Sequence, residues 1–181
     1  ILSNDRSEEI KTAYFGRKSD NNEIIDCLEK YGVKYEKVDD DILFDRVSEK
    51  LVNGGVIGWF QGRAEFGPRA LGHRSIIVDP RRKDAKDLLN EKIKRRESFR
   101  PFAPSILEEY VEEYFVQNDE VPFMEKVYDI KKEKHSEIPA VTHVDGTGRL
   151  QTVDKDISPR YHRLITEFKN KTGVPVLLNT S

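Results

Sequence analysis

The sequence predicts one mixed α/β domain, and three observations carry that reading. Short β-rich apolar runs occur at 56–60, 75–79 and 174–178. Between them lie segments with helical spacing, Leu43, Val47, Leu51 in one and Tyr161, Leu164, Ile165, Phe168 in another. The turn signal Asp145-Gly146-Thr147-Gly148 then sits between Val144 and Leu150, as in a hairpin. Strands and helices are interspersed and at least one strand pair is local, so the sheet is expected to be mixed.

Taken in order, residues 1–12 are polar and aperiodic and read as a linker or frayed terminus, leaving 13–181 as the domain. Residues 13–16 suit a short strand. Ser19 is a candidate N-cap for a helix to Tyr31, with Gly32 behind it. Residues 34–38 alternate like a strand, and a second helix ends on Asn53-Gly54-Gly55. Asp84 to Arg96 reads as a helix burying Leu88, Leu89 and Ile93, ended by the extended Pro101–Pro104 segment. Residues 108–115 suit a short acidic helix, and 123–130 and 140–144 suit strands. Ser158-Pro159 starts the last helix, with Pro at its first position, and Gly173 ends it. The first residue is Ile, and the sequence stops at Asn179-Thr180-Ser181 directly after an apolar strand. Both features point to a longer parent chain.

Composition narrows the function. Hydrophobic residues make 36% and charged residues 35% of 181, as in a soluble globular domain, and no apolar run reaches the roughly 18 residues of a membrane span. Cys27 has no partner for an internal disulfide. Its spacing with Ile24, Leu28 and Tyr31 makes it a core thiol and a reducing cytoplasm the expected compartment. A net charge of −2 argues against a nucleic-acid surface. Charge is nevertheless uneven: residues 63–100 carry twelve Lys/Arg against six Asp/Glu, whereas 108–120 contain acids and no Lys or Arg. A basic segment within an acidic chain suggests a locally held anion.

The stretch Gln61-Gly62-Arg63-Ala64-Glu65-Phe66-Gly67-Pro68-Arg69-Ala70-Leu71-Gly72-His73-Arg74-Ser75 reads as a long loop between two strands. Its glycines allow close approach of backbone N–H groups, and Arg63, Arg69 and Arg74 can direct guanidinium forks into one small region. Such forks match phosphate and carboxylate oxygens. A surface loop with ordinary salt bridges is the competing reading. His143 and Asp145, alternating on an expected strand, would share a face; a metal there needs further ligands, and the other histidines offer no spacing for one. No nucleophile triad is evident.

This string resembles the signature of the O-carbamoyltransferases of nodulation factors and antibiotics, in their C-terminal, YrdC-like domain. The resemblance continues through Asn90, Lys92 and Lys94-Arg95-Arg96-Glu97-Ser98-Phe99-Arg100-Pro101-Phe102-Ala103-Pro104. It resumes at Thr142-His143-Val144-Asp145-Gly146-Thr147-Gly148-Arg149-Leu150-Gln151 and at Thr172 to Ser181. It implies a twisted mixed sheet flanked by helices, and a domain that binds ATP and carbamoyl phosphate and forms carbamoyl-adenylate. On that basis Arg63, Arg69, Arg74 and Arg100 would stabilise charge on phosphate oxygens. Lys94 and Arg96 would hold phosphates, and Ser75, His143, Asp145, Asn179 and Ser181 would contact the carbamoyl group or nucleotide. Mg²⁺ is expected with ATP. In the family a larger N-terminal domain, absent here, binds iron and transfers the carbamoyl group to a hydroxyl acceptor, so it is the implied protein partner. Two other readings stay open: a threonylcarbamoyl-adenylate domain for tRNA modification, against which the net charge counts, and a non-catalytic nucleotide-binding module.

Overall fold

The computed structural model describes residues 10–95, 97 and 100–180. Its centre is a five-stranded mixed sheet built from β1 (Ile57–Phe60), β2 (Arg74–Val78), β3 (Ala103–Leu107), β6 (Gln151–Val153) and β7 (Val176–Thr180), in the order β1-β2-β7-β3-β6. The β1–β2, β2–β7 and β3–β7 pairs are antiparallel, and β3–β6 is parallel. Every residue of β3 is buried, and so are the first four of β7. That explains their near-continuous apolar character, since a strand covered on both faces has no solvent side on which to place polar residues. Pro104 is accommodated inside β3 because pairing with β6 begins one residue later, at Ser105.

Helix α5 (Pro159–Thr172) packs on β3 and β7, and α2 (Asp40–Val52) packs on α5. Tyr161, Leu164, Ile165 and Phe168 form the buried stripe of α5, as their spacing predicts. Gly173 follows in the left-handed conformation at φ 80°, which ends the helix without a Cβ clash. From α2 come Phe44 and Leu51; with Ile77, Val78 and Leu177 they make up the heart of the core. Arg160 and Arg163 of α5 each pair with an acid of α2, Asp40 and Asp41, while their guanidinium groups lie over the Phe44 ring at 5.1 and 4.6 Å. A second, two-stranded sheet of β4 (Val127–Asp129) and β5 (Thr147–Arg149) lies against β3. The short helix α4 (Val111–Tyr114) precedes it and buries Val111 and Tyr114.

Several local expectations are corrected. Helix α1 (Asn21–Lys30) is capped by Asp20, whose side chain accepts from the Glu23 N–H, rather than by Ser19. No residue of α1 is buried and Cys27 is exposed rather than a core thiol; of its helical neighbours, Ile24 and Leu28 line an open groove. Residues 34–38 form no strand. Residues 13–16 form none either, although Gly16 donates to the Ala64 carbonyl and Phe66 to Ala13, which ties this segment alongside the central loop. The expected helix from Asp84 is a short α3 (Ala85–Asp87) continued by a π-helical stretch, Leu88–Lys94, that buries Leu89 and Asn90 but leaves Ile93 exposed. Residues 140–144 are not a strand. Ala140 donates to the Pro80 carbonyl, Gly146 donates to His143, and the strand leaving this turn, β5, finds its partner in β4.

Candidate active site

The central loop, residues 61–73, is organised from within. One carboxylate oxygen of Glu65 accepts from three backbone N–H groups, those of Leu71 at 2.7 Å, His73 at 2.9 Å and Arg74 at 3.2 Å. Gly72 N–H donates to the Ser75 hydroxyl, and Gly72 itself has φ +99°, where a side chain is strained. The His73 ring stacks on Tyr14 with centroids 3.5 Å apart. Its Nδ1 lies 2.7 Å from the Arg63 carbonyl and its Nε2 3.0 Å from the Ser158 hydroxyl. A charged acceptor bound by three main-chain donors fixes a loop more firmly than neutral turns do.

This geometry divides the arginines expected to act together. Arg74 folds back on its own loop: Nη1 donates to the Gln61 and His73 carbonyls and Nη2 to Gly62, and the group lies 3.5 Å over the Phe60 ring. It closes the loop at its base and does not reach toward a ligand. Arg63 is exposed and donates to the Gly16 carbonyl at 3.2 Å. Arg100 is exposed and paired with Glu97 at 3.0 Å. Ser75 is buried and used by Gly72, and Lys94 ends the π-helical stretch. Arg96 and Ser181 lie outside the described residues.

Arg69 is the loop arginine that reaches a cavity. With Ala70, Pro101, Phe102, Ala103, Met124, His143, Arg149, Asn179 and Thr180 it encloses about 100 Å³ at the end of β7 and β3. Arg149, on β5, is the second cation there and was not singled out from sequence. Neither arginine has an acidic partner among the described ion pairs. Burial, then the neighbouring Arg69 charge, pushes the Arg149 guanidinium below the usual arginine range. Two cations sharing a cavity with no carboxylate among its described lining residues make it electropositive and suited to an anion.

Two neutral groups complete the cavity. His143 presents Nδ1 to the Thr147 hydroxyl at 3.0 Å, while its Nε2 is buried without a well-formed hydrogen bond, the Phe102 backbone being close by. Burial holds its pKa below the ordinary histidine value; Asp145 opposes that shift, and Arg149 and Lys86 add to it. Asp145 itself is exposed and turned to Thr147, accepting from its N–H at 3.0 Å and its hydroxyl at 2.7 Å. Asn179 is buried at 2% exposure, and its Oδ1 has no hydrogen-bond partner among the described residues. Met124, a further wall residue, has φ +56°, an unusual conformation for a side-chain-bearing residue and one that clusters at ligand sites.

The cavity opens beside an apolar groove of about 570 Å³ that shares Arg69, Met124 and Arg149 and is framed by Phe15, Phe66, Pro68 and Val127. Phe66 is 78% exposed there. The cleft between residues 10–14 and 152–158 suits an anion poorly, being lined by Glu108, Glu120, Glu125 and Asp154. Among the described residues no group of three His, Cys, Asp or Glu is placed to hold a metal ion. No helix of the described residues is long and apolar enough to cross a membrane.

Fold and site together define a mixed α/β domain with a two-arginine cavity at the strand ends. The family model for the carbamoyltransferase C-terminus matches residues 48–181, and the chain belongs to that family. It is 51% identical over 152 residues to the nodulation protein NolNO of Sinorhizobium fredii, covering 82% of this chain and 22% of that protein. It is 44% identical over 137 residues to the 3'-hydroxymethylcephem-O-carbamoyltransferase of Amycolatopsis lactamdurans, covering 76% of this chain and 26% of the relative. An uncharacterized Synechocystis protein, sll1178, is 43% identical over 93% of this chain and 31% of its own length. The chain therefore spans between about a fifth and a third of the length of these relatives.

Proposed function

We propose that this domain binds carbamoyl phosphate and ATP and forms carbamoyl-adenylate, which another part of the parent protein transfers to a hydroxyl acceptor. The observation that carries the reading is the cavity in which Arg69 and Arg149 meet without an acid. Its volume suits a phosphate or acyl phosphate and not a nucleotide. The adjoining groove supplies the apolar, aromatic-framed space that a purine needs, and Arg69 and Arg149 stand where the two volumes join. Carbamoyl phosphate, ATP and water give carbamoyl-adenylate, pyrophosphate and phosphate. Negative charge moves among phosphate oxygens in that exchange, so preorganised cations are the main requirement on the protein. No carboxylate lines the cavity among the described residues, so Mg²⁺ would enter bound to the nucleotide phosphates.

The test is isothermal titration with carbamoyl phosphate and ATP–Mg²⁺, paired with an assay of pyrophosphate release that depends on carbamoyl phosphate. Binding by the wild type that is lost in Arg69→Ala and Arg149→Ala supports the reading. Wild-type affinities that both variants retain would place the anion site elsewhere. Release of pyrophosphate without carbamoyl phosphate would replace the transferase reading with simple nucleotide hydrolysis.

A further inference from the structure

The cleft between residues 10–14 and 152–158 encloses about 180 Å³. An apolar cavity of about 150 Å³ is enough to hold benzene, so there is room here for a short organic group. Leu71, Phe123, Val153 and Ile157 supply apolar wall, and Ser158 and Tyr14 supply hydroxyl groups. Ser158 is the N-cap residue of α5, yet its side chain caps no helix N–H. The hydroxyl is turned instead to the central loop, across 85 residues of sequence, where Oγ lies 3.0 Å from His73 Nε2. Spacing could not reveal a pair so far apart in the chain.

The direction of each proton follows from groups whose polarity is fixed. Trp59 Nε1 only donates, and it lies 2.8 Å from Gln61 Oε1, so the other end of that amide is the nitrogen. Gln61 Nε2 donates to Ser158 Oγ at 3.4 Å. At the far end the Arg63 carbonyl only accepts, and His73 Nδ1 lies 2.7 Å from it, so Nδ1 carries the ring proton. In the neutral ring Nε2 is then a lone pair, and the proton between it and Ser158 is the serine's own. The Tyr14 phenol oxygen is also close to the Ser158 hydroxyl, but Tyr14 gives its proton to the Leu71 carbonyl at 2.9 Å. A neutral phenol oxygen is a far weaker base than an imidazole nitrogen, so the Ser158 proton points to His73. The ring itself is held by stacking on Tyr14 at 3.5 Å, and the charged groups acting on it, Glu65 and Arg74, oppose each other.

We propose that Ser158 and His73 form a second reactive centre, a serine–histidine dyad that takes a short acyl group from a neutral or cationic ester. The arrangement is that of an activated nucleophile: a hydroxyl on an imidazole, and the imidazole fixed in one tautomer by a third group, here a backbone carbonyl. Ser158 Oγ attacks the ester carbonyl carbon as its proton passes to His73 Nε2. The ester C–O bond breaks, the alcohol leaves with that proton, and the acyl group stays on Oγ. Water then attacks the acyl carbon, its proton returns through His73 to Ser158, and the carboxylic acid departs. Ser158 is 3% exposed and is reached through the cleft. Glu108, Glu120 and Asp154 on the cleft walls repel acyl phosphates and other anions, so the dyad serves a different substrate class from the Arg69–Arg149 cavity and stands independently of it.

The experiment treats this chain with phenylmethanesulfonyl fluoride and, separately, with p-nitrophenyl acetate. In the folded wild type, mass spectrometry is expected to find the sulfonyl adduct on Ser158. Ester hydrolysis should rise with pH as the His73 ring loses its proton, below its ordinary value of 6.5, and then level off. Ser158→Ala should abolish labelling and return hydrolysis to the buffer rate. His73→Gln should lower both by about 100-fold or more, with folding verified by a denaturation curve. Ser158→Cys keeps a nucleophile in place, and iodoacetamide should alkylate it at neutral pH faster than the exposed Cys27, because the imidazole draws off the thiol proton. A folded wild type whose Ser158 stays unlabelled overturns the proposal, whatever the variants do, and leaves the His73 contact purely structural. Hydrolysis that Ser158→Ala leaves unchanged overturns it as well.

Discussion

Gly72 lies directly against the ring of Tyr161: a Cβ at this glycine would stand 2.2 Å from Tyr161 Cδ1 and 2.5 Å from Cε1. The contact joins the central loop to the first turn of α5, and Tyr161 is fully buried. Gly72→Ala adds a left-handed backbone penalty at φ +99° to that overlap. It should cost about 3 kcal/mol or more in chemical denaturation. An effect below about 0.5 kcal/mol would mean that the loop can lift off the helix without loss.

Tyr161 offers a test of opposite sign. Its hydroxyl is buried without a hydrogen bond, although the Ser105 hydroxyl is a neighbour, and burial raises its pKa far above the ordinary phenol range. Tyr161→Phe removes an unsatisfied polar group and keeps the ring against Gly72. Stability should stay level or rise by about 1 kcal/mol, measured by the same denaturation curve. A clear loss would reveal a hydrogen bond to that hydroxyl.

The Glu65 carboxylate should matter to ligand binding without touching ligand. Glu65→Ala strands the N–H groups of Leu71, His73 and Arg74 and should lower stability by about 2–3 kcal/mol. Glu65→Gln keeps a neutral acceptor and should lose less. Because Arg69 rides on this loop, anion affinity should fall in the same order. Titration of both variants with inorganic phosphate checks it; unchanged affinity in Glu65→Ala would separate the loop's shape from its function.

Acid should weaken the fold through His73. Burial, the largest cause, holds its pKa below 6.5, with the Arg74 charge adding and the Arg63 carbonyl and Glu65 opposing. The unfolded chain therefore binds a proton at a higher pH than the folded one. Stability tied to His73 is complete above about pH 6.5 and declines as pH falls toward the lower folded value. Thermal unfolding followed from pH 7.5 to 5.5 should show a falling midpoint, with a shallower fall in His73→Gln. Identical slopes would assign the acid sensitivity to other groups.

The two arginines should be unequal to the sum of their parts. Removing either Arg69 or Arg149 should weaken anion binding about 10–100-fold, and removing both should cost less than the product, since one cavity is emptied by either change. Added phosphate should raise the unfolding midpoint of the wild type and not of the double variant, by linkage. Equal stabilisation of both proteins would point to non-specific salt effects.

The parts of this fold legible in sequence are those where burial repeats with a fixed period. The stripe Tyr161, Leu164, Ile165, Phe168 found α5, and the apolar runs found β1, β2 and β7. Alternation misled where nothing pairs, at 34–38, and where apolar residues are buried in a turn, as Ala140 and Val141 are. Within the site, Arg69, His143 and Asn179 were legible because they fall in the recognised motifs. Which arginines converge was not, because Arg74 is claimed by carbonyls of its own loop and Arg149 arrives on a strand whose partner, β4, lies some twenty residues earlier in the chain. Side-chain direction is set by those distant partners, and spacing carries no record of them.

β7, the last of the described strands in sequence, occupies the middle of the five-stranded sheet, between β2 and β3. Until it is made, the inner edges of β2 and β3 have no strand to pair with, and each presents open backbone donors and acceptors. Asn179, which it carries, reaches Ala70 across 109 residues, so this wall of the cavity forms only with long-range contacts. A folding intermediate that lacks β7 therefore exposes two open sheet edges and is the species most prone to pair with another chain.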